Sequence, residues 1–220
     1  MSYTFKYRLN DMKNTQCDMK YVDGMSCVER AMKRLFDILC SFVGLILLSP
    51  LLAYIYIRIR LNGDGPVLFK QERIGYKGKT FKILKYRTMS VCDDEETPLL
   101  FSNEDDRLTS FGRFLRERHL DELPQLWNVL VGDMSFVGPR PERKYFIDRI
   151  MQHNSDYVYI YKMRPGLTSP ASIYNGYTDT MEKMLRRLDM DLEYLQQRNL
   201  FYDFKIITLT IVYILKGKKI

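Results

Sequence analysis

The stretch that most limits how this chain can fold runs from Ile38 to Ile57, ILCSFVGLILLSPLLAYIYI, twenty residues without a charge. As a straight helix it would be long enough to span a bilayer. More than thirty residues precede it and no small-residue cleavage site follows, so it does not read as a cleavable signal peptide. Ser49-Pro50 lies just past its middle. Proline removes one backbone N–H and clashes with the carbonyl four residues back, so a helix must kink there, and the Ser49 hydroxyl can serve the freed carbonyl. Both flanks are basic, Arg30, Lys33 and Arg34 before and Arg58 and Arg60 after. The positive-inside tendency assigns both ends to the cytoplasm, which a helix that enters, bends at Ser49-Pro50 and returns satisfies. A straight span and a core helix of a soluble protein are the alternatives. Asp37, beside Lys33 and Arg34, reads as a member of an interfacial ion pair.

With 220 residues the chain has room for one compact domain besides this segment. Its net charge of +7 points to an anionic partner. Between Arg58 and Ser90, nine basic residues stand against two acids, an excess equal to that of the whole chain. Directly after an apolar segment, such a run suits anionic headgroups, although it is also what a solvated face looks like. Cys17, Cys27, Cys40 and Cys92 form no C-x-x-C pair, which argues against a zinc site or disulfide framework.

Residues 1–31 read as an N-terminal extension, 32–60 as a re-entrant helical hairpin and 61–220 as a cytoplasmic domain. Within the last, Asn62–Pro66 is a turn cluster, and PVLFKQERIGYKGKTFKILKYRTM reads as strands broken at Gly75–Gly78. Ser90–Asp106 is an acidic loop. Thr109–Val131 is helical in pattern, with Pro124 suited to a first helical turn. GDMSFVGPRPER is a turn-rich loop; Arg143–Gln152 and Thr180–Gln197 are amphipathic helices. Lys205–Leu215 is too short to span a membrane and suits a core or interfacial helix. The fold class is α/β in the α+β sense: a small mixed domain of helices and short strands on a membrane hairpin and interfacial helices.

The densest chemistry lies in RFLRERHLDELPQLWNVLVGDMSFVGPRPE, residues 113–142. Adjacent carboxylates, Asp121 and Glu122, suit a hard cation, since Mg²⁺ is held by one or two carboxylates plus phosphate oxygens. Arg113, Arg116 and Arg118 are close by, and arginine matches phosphate geometry. Taken singly, the acid pair is also ordinary helix-start chemistry and the arginines an ordinary solvated face. His119 and His153 read as local and surface residues.

As a set, these segments resemble the bacterial sugar transferase family, the monotopic polyprenyl-phosphate phosphoglycosyl transferases. The matching pieces come in family order: KRLFD before the Ser-Pro segment, GPVLFKQERIGYKGKTFKILKYRTM, LTSFGRFLR, DELPQLWNVLVGDMSFVGPRPE, RPGLTSP, and a closing D-x-x-Y…D-x-K-I-I. The resemblance implies transfer of a phosphosugar from a UDP-sugar to undecaprenyl phosphate with release of UMP, initiating polysaccharide or glycan assembly at the cytoplasmic face of the bacterial inner membrane. It implies Asp121 as nucleophile, through a phosphoglycosyl-aspartate, and Glu122, with Asp121, as Mg²⁺ ligand. Arg113 and Arg116 would offset charge. Arg140 within Pro139-Arg140-Pro141 would contact the nucleotide, and Lys85, Arg87 and Arg164 would contact phosphates. Expected partners are the two substrates and anionic lipid, with a homodimer as an allowed assembly and no nucleic acid. Ser169-Pro170-Ala171-Ser172 departs from the Gly-x-Ala-Gln of many relatives, which leaves the sugar open. The rival readings are a membrane-attached glycosyltransferase that moves the sugar without its phosphate and a non-enzymatic basic adaptor.

Overall fold

The computed structural model describes residues 20–62, 65–90, 107–176, 178 and 180–216. Helix α1 (Cys27–Leu47) starts at a capping box, in which the Glu29 N–H donates to Ser26 Oγ at 3.2 Å and the Ser26 N–H to Glu29 Oε2 at 2.9 Å. Helix α2 (Ser49–Leu61) follows after one residue, and the pair is bent by 62°. The bend has the expected local chemistry. Pro50 cannot donate to the carbonyl of Ile46, and the Ser49 hydroxyl donates to it instead, at 2.7 Å. Among the described residues no single helix is long and apolar enough to cross a membrane; the bent pair together meets that length and composition.

Both ends of the pair dock on the same body. Ile55 and Ile59 of α2 are buried with Val67, Tyr86 and Leu115, and the Tyr86 hydroxyl donates to the carbonyl of Leu52 at 2.8 Å. At the start of α1 the basic residues are bound by protein. Arg30 reaches Asp23 at 2.8 Å; Lys33 donates to the carbonyl of Val137 at 2.9 Å and pairs with Asp203; Arg34 donates to the carbonyls of Val129 and Leu130. Asp37 corrects its expectation as an interfacial ion-pair member. It is 2% exposed and accepts the Phe136 N–H at 3.1 Å, so it pins the helix to the domain. The stretch read as an N-terminal extension also differs where it is described: Met25 is buried, and Asp23 binds Arg198 through both carboxylate oxygens. The rest of that stretch and most of the acidic loop, residues 1–19 and 91–106, lie outside the described residues.

Strands β1 (Leu68–Ile74) and β2 (Thr80–Tyr86) form an antiparallel hairpin, joined by the expected glycine turn. The helical pattern over Thr109–Val131 resolves into α3 (Ser110–Glu117), a 3₁₀ turn at Leu120–Glu122, and α4 (Gln125–Val131), with Pro124 directly before α4. His119 makes the break, at φ 55°. The expected turn-rich loop contains β3 (Ser135–Val137), paired in parallel with β4 (Gly166–Thr168). Helices α5 (Lys144–His153), α6 (Pro170–Tyr174), α7 (Met181–Gln197) and α8 (Leu200–Leu215) complete the mixed architecture, with a 3₁₀ segment at Ser155–Lys162. The main core gathers Ile147, Ile150, Leu188, Leu192, Leu195 and Ile206. On the outside, α1, α2 and α8 carry exposed large apolar side chains, including Phe42, Leu47, Tyr54, Ile57, Phe201 and Phe204.

Candidate active site

The acid pair sits in the broken stretch between α3 and α4, and neighbouring elements fix that stretch from three sides. Asn128 of α4 is buried and works as a clamp: its Nδ2 donates to the carbonyl of Lys82 at 2.9 Å, and its Oδ1 accepts the Leu84 N–H at 3.0 Å. That holds α4 along β2, one residue from Lys85. Thr109 caps α3 by accepting the Gly112 N–H at 2.9 Å, and Arg116 Nε donates to Thr88 Oγ1 at 2.8 Å. Helix α4 ends at Gly132, where φ is 100° and Arg34 and Arg164 bind the last carbonyls.

Lys85 Nζ lies 2.5 Å from Glu122 Oε1, and Arg140 Nη2 lies 3.7 Å from the same oxygen. The Pro-Arg-Pro loop delivers Arg140 because its backbone is held on both sides. The Pro139 carbonyl accepts the Gly166 N–H at 2.9 Å, and the Pro141 carbonyl accepts Arg73 Nη1 at 3.0 Å. The crossing with β4 is close enough to require glycine: a Cβ on Gly138 would fall 2.2 Å from the Arg164 carbonyl oxygen. Pro139 and Pro141 are therefore buried while Arg140 stays exposed.

These groups line one cavity: Arg73, Lys85 and Arg140 supply three cations against the single anion Glu122, with Gln125, Gly166 and Leu167 completing the wall. Asp121 adjoins it through Glu122 and is itself 7% exposed. Burial and the neighbouring Glu122 charge push the Asp121 carboxyl above the ordinary carboxylate range, against the opposing pull of Lys85 and Arg116. For Glu122 burial acts in the same upward direction, yet Lys85 and Arg140 outweigh it and hold the carboxyl down at about 2. Two adjacent acids are thus driven apart, one more basic than usual and one firmly ionised.

Other sequence-predicted residues fall elsewhere. Arg113 is exposed on α3, and Arg87, half-buried past β2, does not line the cavity. Arg164 is an anchor: its Nε donates to the carbonyl of Gly132 at 3.1 Å and its guanidinium lies 5.0 Å over the Tyr76 ring. Sequence reasoning missed Arg73, Gln125, Asn128 and Glu142. Arg73 sat within the counted basic run, and Glu142 closes the matched PRPE segment, where it binds Arg187 at 2.8 Å and Arg73 at 3.8 Å. Among the described residues no cluster of three or more histidine, cysteine or acidic side chains is placed to hold a metal. Glu122 takes both cationic contacts on Oε1, so Oε2 is the oxygen it can offer a cation, and Asp121 supplies a second carboxylate.

The family model for bacterial sugar transferases matches residues 28–217. The chain belongs to that family. It is 39% identical over 206 residues to UDP-glucose:undecaprenyl-phosphate glucose-1-phosphate transferase of Escherichia coli (strain K12), covering 93% of this chain and 44% of the relative. It is 35% identical over 185 residues to UDP-N-acetylgalactosamine-undecaprenyl-phosphate N-acetylgalactosaminephosphotransferase of Aeromonas hydrophila, covering 84% of this chain and 44% of the relative. It is 38% identical over 192 residues to exopolysaccharide production protein PSS of Rhizobium leguminosarum bv. phaseoli, covering 84% of this chain and 96% of the relative. The chain thus spans less than half the length of the first two relatives and nearly all of the third.

Proposed function

We propose that this protein transfers a phosphosugar from a UDP-sugar to undecaprenyl phosphate at a membrane surface. The observation that carries this reading is the convergence of Lys85 and Arg140 on Glu122, directly beside a buried and unusually basic Asp121. A carboxylate can attack a diphosphate only where positive charge offsets the repulsion, and Arg73, Lys85 and Arg140 line the cavity beside it. A raised pKa favours nucleophilicity at any pH above it.

In the proposed first step an Asp121 oxygen bonds to the sugar-bearing phosphorus. The bond from that phosphorus to the bridging oxygen breaks, and UMP leaves with the electron pair. In the second step an oxygen of the lipid phosphate bonds to the same phosphorus and the Asp121 carboxylate departs, restoring the enzyme. Lys85 and Arg140 steady the phosphoryl oxygens in both steps. Glu122 Oε2 and Asp121 would hold Mg²⁺, which when bound supplies further charge neutralisation on the diphosphate.

Membrane placement is supported by the exposed apolar faces of α1, α2 and α8 and by the bend, since both ends of the helix pair pack on one body. A pair docked in that way can enter one leaflet and return. The lipid acceptor is then presented to a site held at the cytoplasmic surface.

The test is to incubate the purified protein with undecaprenyl phosphate and a panel of UDP-sugars, UDP-glucose and UDP-N-acetylgalactosamine included. UMP release together with a lipid-linked phosphosugar is expected. Release of UDP would mean that the sugar moves without its phosphate and would overturn the reading.

A further inference from the structure

The cavity beneath Arg140 contains a polar side chain whose presence the fold itself does not explain. Gln125 is the first residue of α4 and is 2% exposed, yet its Nε2 has no acceptor. Arg73 Nε, on the same cavity, is also without one. A buried N–H left unpaired is destabilising, and a methionine of nearly the same length would fill the position without that penalty. The neighbouring clamp on α4 gives a contrast: the buried Asn128 amide has partners on both its nitrogen and its oxygen.

An orphaned donor in a cavity lined by Arg73, Lys85 and Arg140, whose one acid, Glu122, is already taken by Lys85 and Arg140, calls for a further anionic oxygen. Oxygens of a diphosphate accept from amide and guanidinium N–H groups alike, and binding one would satisfy Gln125 and Arg73 together. We propose that Gln125 is a donor-binding residue whose Nε2–H donates to a phosphoryl oxygen of the nucleoside diphosphate sugar. This deepens the reading above and rests on it for the identity of the diphosphate. A sugar hydroxyl could accept the same hydrogen bond, but it would gain nothing from the surrounding charge, so the phosphate is the assigned partner.

Two variants test it, Gln125→Met, which keeps length and removes the donor, and Gln125→Glu, which keeps shape and turns the donor into a repelling anion. UDP binding in the presence of Mg²⁺, read by titration calorimetry on the full-length protein, should weaken about 10-fold in Gln125→Met and about 100-fold in Gln125→Glu. The melting temperature of free Gln125→Met should rise by about 2–4 °C, because an unpaired buried amide has been removed. In turnover the loss should fall mainly on KM and be equal for every UDP-sugar. Unchanged UDP affinity in both variants overturns the proposal. So does a lower melting temperature for Gln125→Met with UDP binding intact, which is the signature of a structural role, and so does a loss confined to one sugar. Wild-type protein that binds UDP through Gln125 yet releases UDP during turnover breaks the function proposed above and leaves this contact standing.

Discussion

Two clusters of buried charge, one around Asp23 and Asp203 and one at Glu122, are built on opposite rules. In the seam that joins α1 to α7 and α8, every charged group has a partner of opposite sign. Lys33 pairs with Asp203, which also accepts the Tyr194 hydroxyl, and Asp23 is held by Arg198 through both oxygens and by Arg30. In the cavity at Glu122, Lys85 and Arg140 share one carboxylate oxygen, Arg73 faces Glu142 at 3.8 Å, and the buried Nε2 of Gln125 and Nε of Arg73 have no acceptor. Balanced charge costs about as much to bury as it returns and chiefly enforces one geometry. A buried N–H without an acceptor is a standing cost unless a ligand completes it. The seam therefore holds the helix pair on the domain, and the cavity holds the unpaired donors that the proposed donor diphosphate would satisfy.

Removing the proposed nucleophile should separate the two most sharply. Asp121→Asn is expected to lower transfer by a factor on the order of 10⁴ or more and to abolish any covalent phosphosugar adduct detected by intact mass. Its melting temperature should not fall, because a buried carboxylate of raised pKa is itself a burden on the folded state. Appreciable residual turnover would remove Asp121 from that role. The seam should respond the other way. Asp203→Ala leaves Lys33 buried without its partner and should cost about 3–5 kcal/mol of stability, seen as a melting point roughly 10 °C lower. Activity per folded molecule should stay within about twofold; a large loss in kcat with the fold intact would erase the distinction.

Asp191 offers an intermediate case, because it lies in the main core yet its Oδ1 has no partner. Burial pushes its carboxyl up to about 7, with Arg187 pulling down and Glu142 pushing up; Tyr157 lines the same small cavity. Its folded pKa is above the unfolded value, so its contribution to stability is complete below about pH 4 and is lost as pH rises through about 7. Between pH 5 and pH 8 the protein should lose roughly 2–3 kcal/mol of stability from this residue. Asp191→Asn should flatten that slope in melting curves taken across the range. An unchanged slope would mean that the charge at Asp191 is compensated elsewhere.

Periodicity and turn chemistry made much of the fold legible: the hairpin over Leu68–Tyr86, the helices near Lys144 and Met181, and the bend at Ser49-Pro50. The break at His119 was not legible, because a left-handed residue other than glycine is chosen by the packing on either side of it, here α3 against Thr88 and α4 against β2. The pair Asp121-Glu122 stood out in the sequence, and so did Arg140 between two prolines. What could not be read was which cations meet Glu122, since Lys85 and Arg140 lie 37 and 18 residues away on opposite sides in the chain. Arg164 shows the converse, an arginine in a prominent motif that the structure spends on a carbonyl and a tyrosine ring. Gln125 was hidden by its type: only the missing partner in three dimensions distinguishes it from any polar residue at a helix start.

The smallest expected effect concerns Ser49, and it bears on whether the bent pair meets water or lipid. Its hydroxyl replaces the hydrogen bond that Pro50 cannot make to Ile46. In water that carbonyl could turn to solvent, so Ser49→Ala should cost no more than about 0.5 kcal/mol. In hydrocarbon no solvent is available, and the same change should cost about 1–2 kcal/mol. Melting the variant and the wild type in a detergent that leaves the bend hydrated, and again in lipid nanodiscs, reads the difference directly. Equal and small losses in both would place the bend outside the hydrocarbon region, and the helix pair would then belong with the seam, as a structural arm of the domain.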